Sequence, residues 1–156
     1  MKGFLAAVFV ATLLQCFTGA QAKPDFSGTW IMDPTRSESA NQNERIGPVT
    51  VVISQTPSEL RIETTKTNGS SVITYRLDGS ELKSPGGTAK AYWDGSTLVT
   101  EVEGYVQGQA VSWKETRTLI GNGKEMLVNN VVIVQHGYSA GTSNYGTGKD
   151  IYVRSR

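Results

Sequence analysis

Four Asn-Gly or Asp-Gly pairs, Asn68-Gly69, Asp78-Gly79, Asp94-Gly95 and Asn122-Gly123, punctuate the chain, each between stretches rich in Val, Ile, Thr, Tyr and Trp. A two-residue type I′ turn needs positive φ at both central positions. Asn, Asp and Gly tolerate this, and the twist of the turn matches that of the strands it joins. The pairs therefore predict hairpins, and the chain a meander of antiparallel strands.

The hydrophobic period agrees. Val49, Val51 and Ile53 share one parity, Leu60 and Ile62 continue it, and Ile73, Tyr75 and Leu77 follow, while Thr50, Ser54, Arg61, Glu63 and Thr65 fall between them. Alternation of this kind places one face of each strand in a core and the other in water. A first strand is read at Phe26 to Met32, and later ones at Thr88 to Trp93, Thr97 to Glu103, Gln109 to Ile120, Glu125 to Gln135 and Asp150 to Arg154, about nine in all. Asp33 to Gly47 is polar and reads as a surface loop. Gly137 to Gly148, rich in Gly, Ser, Thr and Tyr, reads as a mobile loop before the last strand.

Strands in sequence order joined by tight turns are most simply arranged by closing the sheet, which removes its exposed edges. The expected fold is all-β, an antiparallel up-and-down β-barrel of about 8–10 strands. A two-sheet sandwich is the alternative, but it needs long Greek-key connections, and only the two loops above are long enough. Lys90, Glu101 and Glu103 fall in the outward set, which argues against a lipid-facing barrel.

Lys2, the apolar run Phe4 to Leu14 and the small-x-small site Ala20-Gln21-Ala22 read as a secretory signal spanning residues 1–22. The run is about half of the roughly 20 residues needed to cross a bilayer, so no membrane span is expected in the mature chain. Cys16 after Leu13-Leu14 has the outline of a lipidation site, but Gln15 stands where a small residue is wanted. Residues 23–156 are then one domain, secreted or periplasmic, without cysteine and hence without a disulfide. The formal charge of +1 is spread along the chain, so neither nucleic acid nor an anionic membrane is an expected partner, and a monomer is the expectation.

Enzymatic chemistry finds few supports. His136 is the single histidine, which excludes a histidine metal cluster and leaves a Ser-His-Asp arrangement resting on one strand-end residue. Gly146-x-Gly148-Lys149 precedes a strand and lacks the Ser or Thr of a phosphate loop, so no cofactor is expected. The informative strand is Val111-x-Trp113-x-Glu115-x-Arg117-x-Leu119, where a Glu and an Arg share a face with three apolar residues. Polar groups inside a barrel need partners. Glu115 and Arg117 would pair across the lumen, or Arg117 would meet an anionic head group. Tyr75, Trp93 and Trp113 are candidate pocket walls, with Trp30, Tyr92 and Tyr105 further aromatic candidates for pocket or core.

Phe26-Ser27-Gly28-Thr29-Trp30 resembles the opening of a lipocalin, in which Gly-x-Trp starts the first strand and the Trp plugs one barrel end. With Asp33-Pro34-x-Arg36-Ser37, Ala91-x-Trp93-Asp94-Gly95-x-x-Leu98-Val99 and Gly121-Asn122-Gly123-Lys124, the chain is similar to small exported bacterial lipocalin-like proteins of unassigned function. The Trp-Asp-Gly hairpin also resembles one in fatty-acid-binding proteins, which places the likeness in the wider calycin group. The resemblance implies an up-and-down barrel and an arginine over the first Trp, a part that Arg154 and Arg117 fit equally. Fatty-acid-binding proteins carry Arg-x-Tyr on the last strand for the ligand carboxylate, whereas the order here is Tyr152-x-Arg154. The expected function is binding of a small apolar or amphiphilic molecule in the lumen, without catalysis. The opposing expectation is a side-chain-filled barrel that engages another protein through its loops.

Overall fold

The computed structural model of the chain describes residues 22–38, 47–135 and 143–156. Ten strands fill them: β1 (Gly28–Met32), β2 (Thr50–Gln55), β3 (Glu59–Lys66), β4 (Gly69–Arg76), β5 (Leu82–Ser84), β6 (Gly87–Asp94), β7 (Thr97–Val106), β8 (Gln109–Ile120), β9 (Glu125–Gln135) and β10 (Ser143–Arg154). They form one antiparallel sheet in the order β4-β3-β2-β1-β10-β9-β8-β7-β6-β5. Every neighbour is a neighbour in sequence except β1 and β10, whose pairing of Trp30 with Arg154 and Met32 with Tyr152 curls the meander into a barrel.

The curl stops short of complete closure. β4 and β5 end the sheet without pairing to each other, so the barrel is nearly closed rather than edge-free. Residues 77–81 cross from one edge to the other, tied by Leu77 N–H to the Ser58 carbonyl at 2.9 Å and by Gly79 N–H to the Ala91 carbonyl at 3.0 Å. Asp78-Gly79 therefore bridges the gap and closes no hairpin.

Turn chemistry departs from expectation elsewhere too. The turns at Thr67-Asn68 and Gly95-Ser96 lack positive φ at both central residues, since neither Asn68 nor Ser96 has it. Asn122 and Gly123 do have it, at φ 55° and 78°, but within a four-residue loop containing a 3₁₀ turn between Ile120 and Glu125. The two-residue turn with positive φ at both centres is Gln107-Gly108, φ 51° and 78°, between Val106 and Gln109. Strand pairing on either side imposes that conformation on a glutamine.

The first strand begins at Gly28, and Phe26 precedes it as a fully buried side chain. The extra strand is β5, three residues paired with β6. Residues 143–148, expected in a mobile loop, extend β10 instead, with Tyr145 opposite Ile133 and Gly148 opposite Asn130. A ladder is made by the backbone, so β9, long and apolar, recruits a Gly-rich partner with little side-chain preference of its own. Of the Asp33 to Gly47 loop, Asp33 to Glu38 is described: Asp33 N–H bonds the Ile151 carbonyl at 2.7 Å, and Glu38 bridges to Lys149. Residues 39–46 of that segment, residues 1–21 with Cys16, and His136 with residues 137–142 lie outside the described residues. Among the described residues no helix is long and apolar enough to cross a membrane.

The core follows the inward parity. Trp30, Ile53, Leu60, Ala91, Leu98 and Met126 are buried inside the barrel, whereas Ile31, Val52 and Val153 point outward and are exposed. Lys90 and Lys114 flank Glu101 on the outer wall at 2.8 and 3.1 Å, as the period-two reading requires.

Candidate functional site

The barrel has a plugged end and a hollow end. At the plug, the Trp30 indole N–H donates to the Phe26 carbonyl at 2.8 Å, which satisfies its polar edge while the ring is wholly buried. The Arg154 guanidinium lies over the ring, its carbon 4.2 Å from the centroid, and donates to the carbonyls of Ser27, Asp25 and Gly123. A cation held on an indole face and three carbonyls is a strong latch. Gly28 makes room for it: φ is +130°, and a Cβ there would lie 3.1 Å from Arg154 Nη1. Of the two arginines that sequence left open, Arg154 therefore takes the place over the first Trp. Trp93 belongs to this plug as well. It packs on Phe26 with ring centroids 6.1 Å apart, under the Lys23 ammonium at 5.5 Å, and does not line the cavity beyond.

Past the plug the lumen opens into a cavity of about 1010 Å³. Its apolar wall is the inward parity of β2, β3, β4, β8 and β9, including Val51, Ile62, Ile73, Trp113, Val128 and Val132. Tyr75, Glu115 and Arg117 also line it. Four of the five side chains picked from sequence, Tyr75, Trp113, Glu115 and Arg117, thus meet in one cavity, and Trp93 stands apart. Of the other aromatics, Tyr92 faces outward and donates to Glu101 at 2.9 Å, and Tyr105 is exposed at the β7–β8 turn.

A polar band crosses this wall. Arg117 Nη1 donates to Thr100 Oγ1 at 2.6 Å, Arg117 Nη2 donates to Glu115, and Asn130 Nδ2 donates to Asp150 Oδ2 at 2.7 Å. Glu115 sits directly opposite Thr100 on β7 and Asn130 on β9, so the band runs through β7, β8, β9 and β10. Pairing between Glu115 and Arg117 is along their own strand, not across the barrel. Residues two apart share a face, and the guanidinium has only to fold back.

Burial divides this ion pair unequally. The Arg117 side chain is 5% exposed and that of Glu115 40%. Arg117 is therefore the buried charge, compensated by Glu115 and Thr100, while the carboxylate looks into the lumen. Asp150 is half-buried, and burial raises its pKa against the hydrogen bond from Asn130, with the Glu115 charge raising it further. Burial pushes the Tyr75 phenol up to about 12, and it raises that of Tyr152 with help from the Asp150 and Glu115 charges. Both phenols stay protonated at neutral pH and offer O–H donors beside the band.

Thr100, Asn130, Asp150 and Tyr152 were not singled out from sequence as parts of this site. A signal was present for Asn130: it interrupts the apolar alternation Met126, Val128, Val132 and Val134. For Asp150 too a signal was present: it opens the strand read at Asp150 to Arg154 and shares a parity with Tyr152. Among the described residues no group of three or more His, Cys, Asp or Glu side chains is placed to hold a metal ion.

No protein-family model and no curated protein sequence matches the chain. Solved structures do. The chain is similar to the REP1-NXSQ fatty acid transporter, 16% identical over 83% of this chain and 96% of that one, TM-score 0.58. It is similar to a secretary abundant heat soluble (SAHS) protein from Ramazzottius varieornatus, 14% identical over 83% and 95%, TM-score 0.57. Human cRBP IV is 15% identical over 85% of this chain and 99% of that one, TM-score 0.56. At these identities the likeness is one of fold, a nearly closed barrel of the lipocalin and fatty-acid-binding kind.

Proposed function

We propose that this protein is an exported, monomeric carrier that holds one small apolar or amphiphilic molecule in its lumen and releases it unchanged. The observation that carries this reading is the cavity of about 1010 Å³, whose Val, Ile, Met and Trp wall is crossed by the polar band and rimmed by Lys66, Thr67 and Asn68. Pockets of that size and character suit lipid-like or drug-sized ligands. A solid interior was the premise of the opposing interaction module, and this volume argues against it. The fatty acid transporter among the similar structures lends the carrier reading support by analogy. Export rests on the signal-like residues 1–22, and a bacterial periplasm or the exterior is the compartment proposed.

The test is native mass spectrometry on protein purified from its export compartment, followed by organic extraction and identification of any released compound. A stoichiometric adduct in the lipid or small-metabolite range is the expected result. A bare polypeptide mass that persists after incubation with cell-envelope extracts would overturn the carrier reading. Recovery of a chemically altered compound would replace carriage with catalysis, and Glu115→Gln would then show whether the lumen carboxylate takes part.

A further inference from the structure

The sign of the charge that the cavity shows its occupant is set by which member of each polar pair faces the lumen. Arg117 is the one cation of the polar band, and its two outer nitrogens are engaged by Thr100 and Glu115. Both side chains line the cavity, but Arg117 is 5% exposed and its partner carboxylate 40%. Facing the space are Glu115 and the half-buried Asp150, whose described partner is the neutral amide of Asn130. The band thus holds two carboxylates and one guanidinium. Of the remaining cations near the lining, Lys66 acts on Asp150 from the mouth and partly offsets its charge, while the Glu115 carboxylate has Arg117 as its cation. Lys66 is exposed at the mouth, beside the β3–β4 turn, and Lys114 points to the outer wall, where it meets Glu101 and Tyr92. The phenols of Tyr75 and Tyr152 add neutral oxygens on the lumen side.

We propose that the lumen selects amphiphiles with a protonated amine head group, seated between Glu115 and Asp150, and rejects carboxylate head groups. This rests on the reading of the cavity as the ligand site and deepens it. An ammonium is a compact donor of three hydrogen bonds and finds carboxylate and phenol acceptors at the band. A carboxylate meets two like charges there and finds the guanidinium already engaged by Glu115 and Thr100. The preference is opposite in sign to that of a pocket built around a free arginine.

Three probes with the same tail, decylamine, 1-decanol and decanoate, are titrated calorimetrically into the purified protein at pH 7 and low salt. Decylamine is expected to bind roughly tenfold more tightly than 1-decanol, the ratio a single charge-assisted contact supplies, with decanoate weakest. Decanoate as the tightest ligand, or three equal affinities, would overturn the amine assignment and leave the lumen reading standing. No binding of any probe would overturn both. Two near-isosteric variants locate the effect. Asp150→Asn should bring decylamine down to about the affinity of 1-decanol. Glu115→Gln, which leaves Arg117 without its counter-charge, should raise decanoate affinity roughly tenfold. Unchanged selectivity in a folded Asp150→Asn protein would also sink the assignment, whether or not Glu115→Gln folds.

Discussion

Arg154 and Arg117 are chemically the same and structurally opposite. Arg154 closes the plug from outside, over Trp30 and onto three carbonyls, while Arg117 lies inside the wall, balanced by Glu115 and Thr100. Arg154→Ala should cost about 2–3 kcal/mol through the lost cation–π contact and the carbonyls it leaves unpaired, read by urea unfolding. Arg154→Lys should recover only a small part, because an ammonium cannot fork to several carbonyls. If both variants unfold at the wild-type urea concentration, the latch contributes nothing. Tyr75 makes a prediction in pH. Burial raises its folded-state pKa from the ordinary 10 to about 12, so the stability it contributes is complete below pH 10 and lost as pH rises through about 12. Tyr75→Phe should therefore flatten the fall in melting temperature between those values, followed by circular dichroism. Parallel curves for the two proteins would disprove it. The inward direction of Tyr75, Trp113, Glu115 and Arg117 was legible from alternation alone. What each of them touches was not, because a contact depends on strands far apart in sequence.

At the scale of the element, hairpins formed at three of the four turns that Asn-Gly and Asp-Gly promised, not at Asp78-Gly79, and also at Gln107-Gly108, which promised none. Gln107-Gly108 adopts the doubly positive φ that Asn-Gly was expected to supply, and Asn68 does without it. Gln107→Asn should stabilise the β7–β8 hairpin by about 0.5–1 kcal/mol, since Asn tolerates the left-handed region better than Gln does. Asn68→Ala, at a turn without positive φ, should cost less than that in the same thermal-melt comparison. A larger loss at Asn68 than gain at Gln107 would mean that side-chain hydrogen bonds, not backbone conformation, govern these turns. β10 carries the related lesson. Gly146 and Gly148 have no strand preference, yet the register with Val132 and Asn130 incorporates them, and that same extension brings Tyr145 and Gly146 onto the cavity wall.

The whole molecule is a meander whose first and last strands meet, leaving β4 and β5 as facing edges and a hollow above an aromatic plug. A protein that keeps such a volume unfilled forgoes packing energy, and an occupant that fills it returns some of that stability. Saturating decylamine, at a hundredfold above its dissociation constant, should add about 2.7 kcal/mol and raise the melting temperature accordingly. A melting curve indifferent to every amphiphile tried would count against a ligand-binding lumen. Sequence by itself determined nine of the ten strands in outline and the side their residues face, because period-two alternation is a local property of the backbone, and the resemblance of Phe26 to Trp30 to a lipocalin opening implied the plug. Only the tertiary structure decided that β1 pairs with β10, that Arg154 and not Arg117 covers Trp30, that Trp93 joins the plug, and that the lumen stays open with carboxylates turned inward. Each of these depends on the stagger between distant strands as the sheet curls, and that stagger is written in no single segment.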